Sequence, residues 1–504
     1  MEHQQKAKEI VLLFSTFLIA ISGLVYELLA GTVSSYFLGD SIFHFSLVIG
    51  LFMSSMGIGS WLSRFVEKEL LKVFIVLQLF IAVIGGFSAV VLFYAFAVIE
   101  NYTSFLYLST ILIGAMLGVE IPLIIRILKD YFSLKTNVSN VFTMDYIGAL
   151  IAALLFPMVF LPKLGLLQTS LFFGALNTFV ALMTWYLFRQ ELPKRVLGYI
   201  VGVIALLGVG SVSLGSYSAF IEHRLYQDEI IYSETSPYQN MVLTRNGERY
   251  RLYINGALQF DTLDEYRYHE ALVHPAMIST KSHENILIIG GGDAMALREV
   301  LKYDDVKAVT LVDLDAKITE LFSNNILVQR LNDNAFNDER VKVHNVDAWK
   351  FLEHAKTLYD VIIIDLPDPN NISLSRLYSK SFYTLVKNHL SFAGAMVCQS
   401  TSPLYARQAF YSIVNTVRST GMEVLAYHVY VPSFGEWGFT LAMNHTIEMN
   451  ANKLPKNLKY LDETQLDNMT IFAPDMQEIN ASVNTLMHHS LMHYYNEGWS
   501  YWYE

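Results

Sequence analysis

Hydrophobic residues concentrate in roughly the first 215 positions of this 504-residue chain. Seven stretches there are apolar over about 18 residues or more, the length that an α-helix needs to cross a membrane. They are predicted at residues 9–31, 43–63, 72–98, 104–126, 142–161, 165–188 and 197–215. The first is too long for a removable signal peptide and lacks a small-residue cleavage site. Residues 1–217 are therefore expected to form a multi-pass α-helical membrane domain of about seven helices.

The pattern changes after this region. Residues 222–270 alternate polar and apolar positions, with turn signals at Asn246-Gly247 and Asn255-Gly256. Such alternation predicts a small antiparallel domain of β-hairpins over 222–280. Short buried strands and helical segments follow and predict an α/β Rossmann-like domain over 281–445. Residues 446–504 form a C-terminal tail.

A glycine turn opens the predicted Rossmann-like domain. An apolar run from Ile286 breaks at Gly290, Gly291 and Gly292 and then resumes with a helical pattern. Folds of this class hold nucleosides at such a strand-turn-helix junction. The next apolar strand ends in Asp313, about twenty residues further, where a carboxylate can accept both hydroxyls of a ribose. The expected ligand is an adenosine derivative.

Acidic residues then indicate the charge of that ligand. Asp293 follows the glycines directly, which is unfavourable beside a pyrophosphate. The buried strand at 361–364 leads to Asp365 and Asp368. Because the carboxyl ends of parallel strands meet at one edge of a sheet, where ligands bind, the three carboxylates are expected to lie close together there. They predict a cationic ligand.

These features resemble the spermidine synthase (polyamine aminopropyltransferase) family, and motifs in the family's order extend over about residues 225 to 445. The further motifs are Ser236-Pro-Tyr-Gln-Asn-Met-Val242, Leu252-Tyr-Ile-Asn-Gly256, Gln259-Phe-Asp-Thr-Leu-Asp-Glu-Tyr-Arg-Tyr-His-Glu270, His274-Pro275, Phe336-Asn-Asp-Glu-Arg-Val341, Asp347-Ala348 and Ser381-Phe-Tyr383. The resemblance implies a fold like that of S-adenosylmethionine-dependent methyltransferases. It also implies transfer of an aminopropyl group from decarboxylated S-adenosylmethionine to putrescine, giving spermidine and 5'-methylthioadenosine.

The reaction needs a free amine, whose pKa in the protonated form is roughly 10.4, as for lysine. Asp365 is the predicted base that takes the proton, and Asp368 is predicted to help hold the amine. Asp293 is expected to pair with the ammonium of the decarboxylated cofactor and to reject the carboxylate of intact S-adenosylmethionine.

The resemblance assigns the remaining contacts. It places the ribose on Asp313, the adenine near Asp347 and Ala348, and the nucleoside against Gln239. It places the amine product near His269, and Tyr238 and Tyr268 could offer hydroxyls or aromatic faces to a polyamine cation.

The chain also departs from the family's pattern. Asp313 stands where the family usually has glutamate, and Asn371-Ile372 stand where it has Gly-Pro. The family's late Pro-Thr-Tyr is Pro432-Ser-Phe434 here, which loses a hydroxyl. The residues that bind the cofactor are therefore expected to match the family, whereas those that bind the acceptor amine are expected to differ from it.

Composition narrows the class of protein. The chain is 53% hydrophobic and 16% charged, with a mean hydropathy of +0.35. Its formal charge of -11 argues against nucleic acid and for cationic small molecules. The single Cys398 is expected in the core. No metal or prosthetic group is expected, because His488, His489 and His493 have no companion acid or cysteine.

Charge placement bears on orientation. Basic residues follow the second, fourth and sixth predicted spans, so these loops are expected in the cytoplasm. Seven spans would then put the catalytic domain outside, whereas the cofactor class demands the cytoplasm. We expect a multi-pass protein of the inner (cell) membrane with a cytoplasmic catalytic domain. Family members are commonly oligomeric, so a homo-oligomer is also an expectation.

Two alternatives stay open. An ordinary methyltransferase shares the fold, although Asp293 and the Asp365/Asp368 pair disfavour it. A membrane polyamine transporter or sensor could carry a non-catalytic ligand-binding domain. Glu27, Glu120 and Asp145 lie within predicted spans, where ionisable groups are costly, and could line a path for a cation or serve only structure.

Overall fold

The computed structural model describes residues 2–38, 42–99, 101–129, 134–226, 228–236 and 238–503. The chain divides into two compact units, Met1–Gln227 and Asp228–Glu504. The boundary lies within ten residues of the predicted end of the membrane domain at 217.

The first unit is helical throughout its described length except for short connections. Its helices are α1 (Glu2–Leu38), α2 (Ile42–Leu62), α3 (Leu70–Gly86), α4 (Ser88–Val98), α5 (Tyr102–Leu128), α6 (Leu134–Leu155), α7 (Leu161–Leu187) and α8 (Arg195–Leu225). All seven predicted stretches fall on these helices. Among the described residues, five helical runs are long and apolar enough to cross a membrane, or six if the bent pair α3–α4 counts as one span.

One of these runs joins α6, a π-helical turn and α7, and it covers two of the predicted spans. Its backbone breaks at Gly165, where φ is 67°. Gly148 of α6 packs on the carbonyl of Phe17, while Asn177 of α7 donates a hydrogen bond of 3.1 Å to the Tyr26 hydroxyl. Gly148 and Asn177 are 29 positions apart, which would be about 43 Å in a straight helix. Phe17 and Tyr26, the residues of α1 that they contact, are only nine positions apart, or about 14 Å. The chain therefore reverses direction at the break.

The basic loops lie at one end of this helical unit. Arg126 donates hydrogen bonds to the carbonyls of Ser63 at 3.0 Å and Val66, which joins the loops after the second and fourth predicted spans. Lys8 forms an ion pair of 2.6 Å with Glu191 in the loop after the sixth span. The amino-terminal segment therefore contacts the loop that follows the sixth predicted span.

The second unit begins with a four-stranded antiparallel sheet. Its strands, in the order β1-β2-β3-β4, are β1 (Glu229–Thr235), β2 (Asn240–Asn246), β3 (Arg249–Ile254) and β4 (Ala257–Asp261). The two predicted hairpin turns are present, with positive φ at Gly247, Asn255 and Gly256. Tight hairpins require such left-handed residues, which is why the sequence signal was reliable here.

A seven-stranded sheet forms the centre of the same unit, in the order β10-β11-β9-β8-β5-β6-β7. Its strands are β5 (Asn285–Gly290), β6 (Ala308–Asp313), β7 (Val341–Asn345), β8 (Tyr359–Asp365), β9 (Leu390–Gln399), β10 (Glu423–Val431) and β11 (Gly435–Met443). Strands β5 to β9 pair in parallel, and β11 runs antiparallel to both of its neighbours. The predicted Rossmann-like domain is confirmed.

Helices surround this sheet. They are α9 (Glu265–Ser279), α10 (Met295–Val300), α11 (Ala316–Asn324), α12 (Ile326–Gln329), α13 (Ala348–His354), α14 (Ile372–Ser375), α15 (Lys380–Asn388), α16 (Arg407–Arg418), α17 (Glu463–Asn468) and α18 (Ser490–Tyr503). Ile288 packs into the apolar cluster on one face of the sheet and Leu287 into the cluster on the other. Burial on both faces explains the unbroken apolar run in β5. Cys398 is buried in the second cluster.

The C-terminal tail is part of this unit. The Glu270 carboxylate on α9 accepts hydrogen bonds of 2.8 to 3.0 Å from the backbone N–H groups of Lys459, Tyr460 and Leu461. A buried carboxylate with three such donors anchors the tail to the helix that precedes the large sheet.

Candidate active site

The glycine turn is fixed by the strands beside it. Gly290 and Gly291 have φ of 80° and 62°, and the Gly291 N–H donates to the Asp365 carbonyl at 3.1 Å. A Cβ added at Gly290 would lie 2.0 Å from that carbonyl oxygen, and one at Gly292 would lie 2.8 Å from a carboxylate oxygen of Asp313. The turn therefore packs against the ends of β8 and β6 at once, with no room for side chains.

Asp313 ends β6 and is held by backbone donors. Its two carboxylate oxygens accept from the N–H groups of Gly292 at 3.1 Å and Asp315 at 2.9 Å. Burial raises the pKa of Asp313 to about 6. Asp315 in turn accepts a hydrogen bond of 2.6 Å from Ser236, whose hydroxyl also accepts the Gln239 N–H at 3.1 Å. The segment before β2 is thus attached beside the end of β6.

Two predicted adenine contacts lie at the start of α13. Asp347 caps this helix by accepting the Lys350 N–H at 3.1 Å, and it pairs with Arg376. Ala348 is buried beneath it. Tyr238 lies before β2 with 57% of its surface exposed. The ligand contacts of these residues stay predictions, because capping alone accounts for the position of Asp347.

Asp365 lies at the carboxyl end of β8, beside the glycine turn. One of its carboxylate oxygens accepts a hydrogen bond of 2.7 Å from the hydroxyl of Tyr268 on α9. Burial raises the pKa of Asp365 to about 6, and the charge of Asp293 contributes to the rise. The charge of His269 and the Tyr268 hydrogen bond act in the opposite direction. The carboxyl group therefore ionises near neutral pH, as a general base for this range should.

Asp293 and His269 form an ionic group next to Asp365. Asp293 accepts the Met295 N–H at 2.9 Å, and burial raises its pKa. Burial by itself would lower the pKa of His269, but Glu265 at 2.8 Å raises it to about 9. Glu265 is held by Arg298 through two hydrogen bonds of 3.0 and 2.9 Å. His269 is thus a buried cation among carboxylates.

Asp368 is fixed by the neighbouring strand. The side-chain amide of Gln399, at the end of β9, lies 3.2 Å from an Asp368 carboxylate oxygen. The same nitrogen lies 2.7 Å from the Leu366 carbonyl and 2.6 Å from the Tyr378 hydroxyl. Burial raises the pKa of Asp368 to about 6. The loop between the two aspartates is therefore held by a side chain that the sequence analysis did not identify.

Three contributors to the site were missed from the sequence. Gln399 ends the strand that neighbours β8, which is a signal available only once the strand order is known. Glu265 precedes His269 by four residues on one helix, a spacing that places two side chains in contact. Arg298 lies in the first turn of α10, the helix that follows the glycines, and reaches Glu265.

The part of the chain that the structure describes contains no evident metal site. No group of three or more His, Cys, Asp or Glu side chains there is arranged to hold a metal ion.

Comparison with known proteins identifies the class. Residues 265–453 match the spermine/spermidine synthase domain. The chain is 44% identical to a polyamine aminopropyltransferase of Leptospira interrogans, over 97% of this chain and 98% of the relative. It is 40% identical to a polyamine aminopropyltransferase of Oceanobacillus iheyensis, over 97% of both chains. A crystal structure of a spermidine synthase with the transition-state analogue AdoDATO aligns with 49% of this chain and 86% of its own, at 25% identity and a TM-score of 0.46.

The chain therefore belongs to the polyamine aminopropyltransferase family. The predicted enzyme class, a transferase of aminopropyl groups with decarboxylated S-adenosylmethionine as co-substrate, is confirmed. The similarity to these relatives includes the helical first unit, since it covers nearly the whole chain.

Proposed function

We propose that this protein transfers the aminopropyl group of decarboxylated S-adenosylmethionine to putrescine and so makes spermidine. The observation that carries the proposal is the Asp365 carboxylate at the edge of the large sheet. It lies beside the glycine turn, is oriented by the Tyr268 hydroxyl at 2.7 Å, and ionises near pH 6. A base at this point can serve an amine that attacks a donor bound over the turn.

The chemical step is a direct displacement. The lone pair of a putrescine nitrogen attacks the methylene carbon next to the sulfonium, and the carbon–sulfur bond breaks. The electron pair of that bond stays on sulfur, so neutral 5'-methylthioadenosine leaves without a general acid. Asp365 first takes one proton from the bound ammonium group, which frees the lone pair. After the attack the new secondary nitrogen keeps its two hydrogens as an ammonium group, so atoms and charges balance.

The donor occupies the end of the sheet that β5 and β6 form. The glycine turn allows close approach of the nucleoside, and Asp313 binds the ribose hydroxyls. Gln239, Asp347 and Ala348 contact the nucleoside and the adenine. Asp293 pairs with the ammonium of the aminopropyl chain and repels the carboxylate of intact S-adenosylmethionine.

His269 acts on the amine side through its charge. A protonated imidazole cannot accept a hydrogen bond from an ammonium group. Its positive charge instead favours the ionised forms of Asp293 and Asp365 and offsets part of the rise in their pKa that burial causes. Asp368 and Tyr238 then complete the contacts to the acceptor.

The test uses the full-length protein in detergent with decarboxylated S-adenosylmethionine and putrescine. Mass spectrometry should detect spermidine and methylthioadenosine in equal amounts, and Asp365→Asn should be the matched inactive control. Methylated putrescine formed from S-adenosylmethionine would instead identify a methyltransferase. Binding of both ligands without any product would identify a sensor or transporter.

We further propose that the helical first unit lies in the cell (inner) membrane and that the catalytic unit faces the cytoplasm, where the donor is made. The five or six apolar helical runs support the membrane location. The basic loops at one end of the unit favour the opposite orientation. Fusing the carboxyl terminus to reporters that are active on only one side of the membrane decides between them, and activity of a periplasmic reporter would overturn the cytoplasmic assignment.

A further inference from the structure

Strand β9 leads into a segment whose backbone is strained. Thr401, two residues beyond the end of β9, has a φ of 55°. Few side chains adopt this left-handed region without strain, and a β-branched residue such as threonine is among the least suited to it. Such strain persists only where the surrounding structure enforces it, and it concentrates at functional sites.

Hydrogen bonds to β11 and to a side chain of β9 enforce this conformation. The Thr401 N–H donates to the side-chain carbonyl of Gln399 at 3.0 Å, and the Thr401 carbonyl accepts the Gly438 N–H at 2.7 Å. The Ser400 N–H donates to the Gly438 carbonyl at 2.8 Å. A Cβ added at Gly438 would lie 2.9 Å from the Thr401 carbonyl oxygen and closer still to the Phe410 ring, so this approach requires glycine there.

The amide of Gln399 connects Thr401 with Asp368. Because the Thr401 N–H occupies the side-chain carbonyl of Gln399, the amide nitrogen must face the other way. That nitrogen lies 3.2 Å from an Asp368 carboxylate oxygen and 2.7 Å from the Leu366 carbonyl oxygen. One side-chain amide therefore separates Thr401 from the aspartate that is proposed to hold the amine.

The fold does not use the hydroxyl of Thr401. The residue is fully buried, and its hydroxyl oxygen has no hydrogen-bond partner within the described part of the chain. A buried polar group without a partner costs stability, and so does the backbone strain. Glycine at this position would remove both costs, so folding alone does not explain threonine. The side chain is nonetheless close enough to Asp368 to lower the pKa of that carboxyl group.

An ammonium group supplies the donors that this part of the site lacks. It carries three N–H donors and no acceptor, whereas Asp368 and Thr401 offer acceptor oxygens on the two sides of the Gln399 amide. Resting on the proposed function, we infer that Thr401 is a substrate-binding residue whose hydroxyl accepts a hydrogen bond from the far ammonium group of the diamine. The strained backbone is then the means by which this hydroxyl is held beside Asp368.

The first test compares three substitutions of Thr401 in the full-length protein in detergent. Thr401→Val keeps the shape and removes the hydroxyl, Thr401→Gly removes the hydroxyl together with the strain, and Thr401→Ser keeps the hydroxyl. Loss of a hydrogen bond to a charged group corresponds to about a tenfold effect or more. KM for putrescine should rise about tenfold in the first two variants and stay within about threefold in Thr401→Ser, while KM for the decarboxylated donor stays within about twofold in all three.

The second measurement is the Tm of the same variants, which separates binding from folding. Thr401→Gly should keep or raise the Tm, because it relieves the strained backbone and removes an unpaired buried hydroxyl. A structural role does not explain a variant that is as stable as the wild type and binds putrescine more weakly. The control is Asn457→Gly, since Asn457 also has a positive φ, of 67°, but lies exposed in the C-terminal tail. Its KM values should match the wild type.

An unchanged KM for putrescine in Thr401→Val and Thr401→Gly overturns the inference, and so does an equal rise in KM for the donor. A lower Tm in Thr401→Gly, or a loss in Thr401→Ser equal to that in Thr401→Val, also overturns it by showing that the side chain serves the fold. A wild-type enzyme that forms no spermidine would instead overturn the proposed function itself.

Discussion

The hydrogen bond from Tyr268 to Asp365 offers a quantitative test of the base. It spans 2.7 Å and lowers the pKa of Asp365, which burial raises to about 6 even with this hydrogen bond in place. A hydrogen bond to a charged group contributes roughly 1.5–3 kcal/mol, and one pKa unit corresponds to about 1.36 kcal/mol. Tyr268→Phe should therefore raise the pKa of Asp365 by about one to two units, to roughly 7–8.

The sign of the effect on rate follows from the role of the group. A base must be ionised before it accepts a proton, so the acid limb of the kcat/KM profile should move to higher pH by the same amount. At pH 7 about nine-tenths of Asp365 is ionised in the wild type, against roughly one-tenth to one-half in the variant. The expected loss of kcat/KM is about twofold to tenfold at pH 7 and close to none at pH 9.

The assay is the pH dependence of kcat/KM for putrescine between pH 5 and pH 9. Tyr266→Phe is the matched control, since that ring lies on the same helix near Lys459 and makes its contact there. A loss that is equal at every pH would show that Tyr268 acts by packing. An acid limb that stays in place would remove Asp365 from the role of base.

Three further changes test the charges of the site. Asp365→Asn should keep donor binding and lower turnover by about 10²–10⁴-fold, with partial recovery at high pH, and near-normal turnover would exclude it as the base. Asp293→Asn should narrow the difference in affinity between decarboxylated and intact S-adenosylmethionine, and calorimetry with both ligands measures that ratio. Glu265→Gln should lower the pKa of His269 from about 9, because Glu265 contributes more than Asp293 and Asp365 to opposing the effect of burial. Titration of that histidine by NMR checks this, and an unmoved pKa would contradict it.

The parts of the fold that the sequence predicted are those with local causes. The hairpins of the small sheet need left-handed residues at their turns, and Asn255-Gly256 supplies them. The glycine turn and the aspartates after β6 and β8 are marked by apolar runs that end abruptly. Each of these signals lies within about ten residues of the feature it predicts, so these features can be predicted without knowledge of tertiary contacts.

The parts that could not be predicted depend on contacts distant in sequence. Gln399 reaches Asp368 only because β9 pairs with β8. The first unit gives a similar case, since the reversal at Gly165 is visible only in how α6 and α7 pack on α1.

The acidic edge of the large sheet explains why a cationic donor and a cationic acceptor suit one site. Burial raises the pKa of Asp313, Asp365 and Asp368 to about 6 each, so full ionisation of the empty edge is costly near that pH. His269 offsets only part of this charge. A bound sulfonium or ammonium group lowers the pKa of nearby carboxyl groups, because an opposite charge favours their ionised form. We therefore expect donor binding to lower the pKa of Asp365 and to hold this proposed base in its ionised form for the acceptor.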